Sequence, residues 1–381
     1  MNSMYVNDFF NFIFIVISLL ILLPGLKIAK RNEFPAHPYS LQNTKGIAGY
    51  FAFCVLLHHL INVFRTCPDY ADGQTILEHV GVLLVGFFFL FSGYGLIVSY
   101  EEKENYLKTF LFRRVCTVLV PYFLCNYAYM TASLLLGNRF TMKELLLAFF
   151  GLILINSHMW FAVEIMLLYL AFYIIFRYVR REKFKYLSMT LVVITMIIIS
   201  FLLGHDFTET GVQMSWFHGE WWYNTTLLFL LGMLFAKHRE KLVAFAQKYY
   251  KQLLLSFSAL FIFLWFATEY MLYHHGYWTE TEVSHGYLDK LMTLSVQLPM
   301  VIAFEIFLLL ILMKVRLHNK IMKFLGKISL ELILLENVFI LSFSPWILRD
   351  YKLYIVFVIV ATLIFATIIN KIKLLILEKK D

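Results

Sequence analysis

The chain has 381 residues, of which 61% are hydrophobic and only 15% charged, and its mean hydropathy is +0.73. A soluble domain is about 45–50% apolar and about 25% charged, so this composition excludes an ordinary soluble fold. The formal charge of +8 then reads as a record of which loops face the cytoplasm, and no nucleic-acid partner is expected.

The apolar residues fall in blocks of roughly twenty, the length that spans a bilayer core of about 30 Å as a helix. In chain order the expected spans lie near 9–26, 46–64, 80–100, 114–136, 158–177, 186–204, 221–237, 250–272, 291–313, 324–343 and 352–372. The fold class is therefore all-α: a polytopic helical bundle in the lipid bilayer, with about eleven transmembrane helices. The stretch 142–155 is too short to cross and is expected to be re-entrant or interfacial. The first run, "FFNFIFIVISLLILLPG", follows Asp8 and no basic residue. A cleaved signal peptide has the opposite charge pattern, so this run reads as a retained helix.

Charge supports the same layout. With the N-terminus outside and the C-terminus in the cytoplasm, 27 of the 33 Lys and Arg residues fall in cytoplasmic segments, as expected of a multi-pass protein of a bacterial plasma membrane. Counting 142–155 as a span would put the first three basic loops on one side and the last three on the other. The outer loops are instead acidic and aromatic: "TCPDYADGQTILEH", "HDFTETGVQMSWFHGE" and "YHHGYWTETEVSHGY". Trp216, Trp221, Trp222, Tyr277 and Trp278 there suit an interfacial aromatic belt or stacking on sugar rings. The four cysteines, Cys54, Cys67, Cys116 and Cys125, have neither a disulfide nor a zinc spacing. His274 and His275 lack further ligands at a metal spacing, and no metal is expected.

Polar side chains inside spans are costly and mark candidate sites. In the second span, "FCVLLHHLINVF" holds His58, His59 and Asn62. Asn126, Glu164, Glu269, Glu305, Glu331, Glu336 and Asn337 follow, and His158 stands at the outer end of the fifth span. A neutral imidazole takes and gives a proton near neutral pH, so either histidine of the pair suits a general base. The alternative is a hydrogen bond between helices. Adjacent helical positions diverge by about 100°, so one ring can face a cavity while the other packs. On a continuous helix Lys45 and His59 lie about 40° apart, whereas Lys45 and His58 take nearly opposite faces.

Six segments recur in an informative order: "KGIAGYFAFCVLLHHL", "GFFFLFSGYGLIVSY", "FLFRRVCTVLVPYFL", "HMWFAVEIMLLYLAFYIIF", "LLFLLGMLFAKHREK" and "FLGKISLELILLENVFI". Together they resemble the acyltransferase family 3 membrane proteins, which O-acylate carbohydrates. The resemblance covers residues 41–372, with residues 1–40 as an extra N-terminal transmembrane helix and cytoplasmic linker ahead of an acyltransferase-like domain at 41–381. It implies a membrane O-acyltransferase, O-acetyl transfer first, that uses acyl-CoA (acetyl-CoA) from the cytoplasmic side. The acceptor would be a hydroxyl of a cell-surface or lipid-linked saccharide. His58 or His59 takes the place of the family's base. The family sets a basic residue eleven positions before it; here Lys45 stands thirteen or fourteen before. Arg113 and Arg114 match the basic pair expected to hold the coenzyme's phosphates, which guanidinium forks suit. Ser92, Gly93 and Tyr94 match the wall of the acyl-donor channel, with tight helix packing as the other reading. Trp160 and Glu164 match a tryptophan-led motif in which Glu164 would orient a histidine. Glu336 stands where the family carries histidine. The competing class is a transporter or flippase of a lipid-linked saccharide. A glycan polymerase is expected to carry a large Arg-rich outer loop, which this chain lacks.

Overall fold

A computed structural model describes residues 6–30, 33–66, 70, 75–205, 216–277, 286–317 and 319–378. Trp278 and Cys67 lie outside the described residues. The all-α expectation holds. The helices are α1 (Val6–Leu22), α2 (Leu41–Val63), α3 (Gly81–Glu102) and α4 (Tyr106–Phe110), the last running through a π-turn at Leu111–Val115 into α5 (Cys116–Leu135). Then come α6 (Met142–Phe149), α7 (Trp160–Tyr178), α8 (Glu182–Leu203), α9 (Trp221–Asn224), α10 (Leu227–Lys237), α11 (Arg239–Lys248) and α12 (Tyr250–His274). The last four are α13 (Gly286–Leu312), α14 (Lys320–Lys327), α15 (Ser329–Ser342) and α16 (Tyr351–Glu378). Among the described residues the only sheet is a two-stranded antiparallel ribbon, β1 (Leu26–Ile28) with β2 (Val315–Leu317), in which Lys27 faces Arg316. It ties the exit of α1 to the entry of α14, helped by Asn319 Nδ2, which donates to the carbonyls of Ile21 and Pro24, each at 2.6 Å.

All eleven expected spans are helical, but they are not all single straight rods. Among the described residues eight helical segments are long and apolar enough to cross a membrane, and α1 falls just short at 17 residues. The expected span 221–237 is broken into α9 and α10, and 324–343 into α14 and α15. A break at membrane depth is tolerated where buried partners satisfy the freed backbone and polar groups. At the first break Thr226 Oγ1 donates to the Trp222 carbonyl at 2.5 Å, and Asn224 Nδ2 donates to Gln297 Oε1 at 3.1 Å. At the second, Asn370 Nδ2 donates to the Lys327 carbonyl at 2.8 Å. The segment 142–155 does not cross. Thr141 and Glu144 cap α6 reciprocally, and Gly151 then turns the chain at φ 71°. Asn126 Nδ2 from α5 holds the α6 carbonyl of Ala148 at 2.7 Å.

Two pairs of helices meet backbone to backbone at glycine. A Cβ on Gly49 of α2 would stand 2.2 Å from Gly326 N of α14, and one on Gly93 of α3 would stand 2.0 Å from Phe229 O of α10. Small residues permit such close approach where helices pack in lipid. These contacts lock α2 to α14 and α3 to α10, and so fix the frame around the polar residues described next.

Candidate active site

Neighbouring helices run in opposite directions, so the C-terminal parts of α2 and α15 meet the N-terminal parts of α3 and α7 at one end of the bundle. The intramembrane histidines are there. His58 and His59 face different ways, as their helical separation requires. The Leu77 carbonyl can only accept, so His58 Nδ1–H donates to it at 2.5 Å, and His58 Nε2 accepts from Asn62 Nδ2 at 3.4 Å. Gly81 lies hard against this ring, since a Cβ there would stand 2.7 Å from Nε2. Both nitrogens of His58 are thus engaged in packing.

His59 has different surroundings. Its Nδ1–H donates to Glu336 Oε1, and the Glu336 side chain is fully buried. His158 brings its own Nδ1 to 3.6 Å from the same oxygen, and the His59 and His158 rings lie 3.9 Å apart at 32°. The two imidazole side chains keep 22% and 28% of their surface exposed. With Nδ1 committed to the carboxylate, Nε2 is the atom of His59 able to accept a proton. Asn156 fixes the third member: its Oδ1 accepts from the His158 backbone N–H at 3.2 Å and from Asn337 Nδ2 at 2.8 Å. This clamps the 3₁₀ turn at Ser157–Met159, which starts α7, onto α15.

Glu164 does not join the histidines. It is fully buried and hydrogen-bonded to Thr226 Oγ1 at the start of α10, so the carboxylate that orients a histidine here is Glu336. His158 and Glu336 were visible in the sequence as intramembrane polar groups, but their spacing gave no sign that they meet.

A cavity of about 180 Å³ lies one helical turn from this cluster. Ser92, Arg114, Phe161, Tyr169, Ser329 and Ile333 are among the residues that line it. Phe161 follows His158 by three positions and Ile333 precedes Glu336 by three, the spacing that places side chains on one helical face. At its far side Arg114 projects from the π-turn, its Nε donating to Tyr106 Oη at 3.0 Å and Nη2 to Ser99 Oγ at 3.4 Å. π-Turns within helices often accompany functional residues.

The other expected site residues divide. Ser92 lines the cavity, whereas Gly93 packs on α10 and Tyr94 packs its ring against Phe235 at 5.4 Å. Of the "SGY" stretch, then, only serine faces the hollow. Trp160 stacks on Phe89 at 6.0 Å and adjoins Trp221 and Trp222 at 6.3 and 6.1 Å. Arg113 is exposed beside Arg114. Lys45 is exposed at the same end of the bundle, with Lys373, Glu331 and Lys327 as its charged neighbours. It therefore lies about 21 Å along α2 from His59. Two further buried acids of the spans are separate: Glu331 pairs with Lys373, and Glu305 abuts Gly86.

The profile of the acyltransferase domain family, acyltransferase 3, matches residues 39–371. The chain belongs to the acyltransferase 3 family. No curated protein and no solved structure matches it. The match covers the whole of α2 through most of α16, so the histidine–carboxylate cluster and the cavity both lie inside the acyltransferase domain. The arrangement sets a carboxylate-held imidazole one helical turn from a hollow that Arg114 lines.

Proposed function

We propose that this membrane acyltransferase moves an acyl group, acetyl first, from acyl-CoA to a saccharide hydroxyl, with His59 as general base. The observation that carries the reading is the carboxylate-held imidazole of His59 one turn above a cavity that ends at Arg114. The basic residues collect at the Arg114 end, which on the positive-inside rule is cytoplasmic. Arg114, Arg113 and Lys45 bind the coenzyme's phosphates there, and the thin pantetheine arm runs past Ser92 toward the histidines.

The acceptor hydroxyl approaches His59 from the other end, beside Trp160 and Trp221. His59 Nε2 takes the hydroxyl proton as the oxygen bonds to the thioester carbonyl carbon. The carbon–sulfur bond then breaks, and the departing thiolate recovers that proton from the imidazolium. Glu336 holds the ring in the right tautomer and stabilises its transient positive charge. General-base assistance of this kind contributes about 10²–10⁴-fold.

The test supplies acetyl-labelled acetyl-CoA to membranes that contain the chain and follows label into the glycan fraction. Label that appears with the native chain and is lost with His59→Ala supports the reading. Saccharide movement across the membrane with no donor present, and no label transferred, would instead identify a transporter.

A further inference from the structure

The geometry points to a second property of the histidine cluster: His59, His158 and Glu336 form a binding site for one zinc-class divalent ion, and the bound ion switches acyl transfer off. One ligand atom from each residue falls within a single group whose members all lie within 4.8 Å of one another. Zinc bonds of about 2.0–2.2 Å place tetrahedral donors about 3.3 Å apart, a separation these side chains reach by small rotations. Two imidazoles with one carboxylate is a borderline donor set that selects zinc, cobalt, nickel or copper over magnesium or calcium. Three protein ligands also leave one position open for water.

Unspent polar capacity in the cluster also points to a ligand. His158 Nδ1 and Glu336 Oε2 are buried atoms without a hydrogen-bond partner. Buried polar atoms are nearly always partnered, and an exception calls for a missing ligand or another specific reason. Only one of the two imidazoles satisfies its Nδ1 on the carboxylate. A cation at the centre would engage both rings and the carboxylate together. Asn156 fixes the backbone of His158, the kind of outer support that tunes metal sites. His58 stands next to His59 but has its Nδ1 on the Leu77 carbonyl, so it contributes nothing to the set.

Switching follows from the tautomer, and this half of the proposal rests on His59 being the base. An imidazole bound to metal through Nδ1 carries its remaining proton on Nε2. That nitrogen can then no longer accept the proton of an acceptor hydroxyl. Removing the ion restores the Nδ1–H to Glu336 and returns the lone pair to Nε2.

The experiment uses the full chain in detergent micelles or nanodiscs, carrying an affinity tag without histidine. Cobalt(II) serves as the spectroscopic probe and zinc as its competitor. One equivalent of cobalt is expected to give a visible ligand-field band that zinc displaces. His158→Ala and the near-isosteric Glu336→Gln should each weaken binding at least tenfold, and His275→Ala should leave it unchanged. No band, or a band that survives both substitutions, overturns the site without touching the role of His59. If zinc fills the site but transfer continues at the same rate, the switch is wrong and so is the assignment of His59 as base. Zinc inhibition that a chelator reverses, with the same dependence on His158, supports both.

Discussion

Replacing each neighbouring histidine by alanine separates chemistry from packing. His59→Ala removes the proton acceptor, and the general-base contribution of about 10²–10⁴-fold corresponds to about 3–5.5 kcal/mol on the barrier. The variant also takes from the fully buried Glu336 its hydrogen-bond donor, which costs about 1–3 kcal/mol of stability, so transfer is read per folded molecule. His58→Ala has the opposite character. It strips partners from the Leu77 carbonyl and the Asn62 amide. Each unsatisfied group costs about 1–3 kcal/mol, so stability falls by about 2–6 kcal/mol in total. Transfer per folded molecule should then change by less than about threefold, under 1 kcal/mol. The assay measures transfer of labelled acetyl normalised to the monodisperse protein fraction, alongside thermal unfolding of each purified variant. If His58→Ala lost transfer a hundredfold per folded molecule while His59→Ala stayed active, the assignment drawn from ring contacts would be refuted.

Three other outcomes follow from named contacts. Glu336→Gln keeps the shape of the side chain but removes the charge opposite the imidazolium, so kcat should drop about 10²-fold or more with KM for the acceptor little changed; a pure KM effect in saturation kinetics would contradict this. Gly93→Ala drives a Cβ to 2.0 Å from Phe229 O, whereas Gly95 has nothing within 4 Å; overpacking should cost the first about 1–3 kcal/mol and leave the second neutral, as read by unfolding temperature in detergent. Arg114→Ala should raise KM for acyl-CoA more than Arg113→Ala does, because Arg114 lines the cavity, and Arg114→Lys should recover only part of the loss since a point charge does not replace a planar fork; equal effects of the two alanine variants in donor kinetics would argue against the cavity as the donor path.

The bundle was legible in the sequence because its signal is bulk hydropathy in lengths of about twenty residues. That signal does not register a break at Ile328 or Thr225, where the residues remain apolar or small and the chain changes direction through partners on other helices. The paired histidines stood out because polar side chains in lipid are rare. The partner of His59 did not, since Glu336 lies 277 positions away and the nearer candidate, Glu164, satisfies one oxygen on Thr226. The "SGY" stretch shows the same division: sequence gives the residue types, but packing decides that serine alone faces the hollow.

One of the three cluster residues comes from a place where regular helix gives way, and another from the middle of a short helix. Glu336 sits on α15, a half-span that begins at Ser329, and His158 sits in the 3₁₀ turn before α7. Neither position is set by the pitch of a long helix, so a local clamp must set both, and Asn156 is that clamp. Its side-chain oxygen is shared between the His158 backbone and Asn337, and the residue is 1% exposed. Asn156→Ala frees both donors, which costs about 1–3 kcal/mol for each one left unpaired and lets His158 drift from Glu336. Asn156→Asp keeps an accepting oxygen in place and should restore much of the function. The distinguishing readout is cobalt affinity alongside acyl transfer: loss of both in the alanine variant with recovery of both in the aspartate variant fits a positioning role. If instead both variants unfold alike, or alanine leaves cobalt affinity intact, Asn156 does not hold His158 in the cluster.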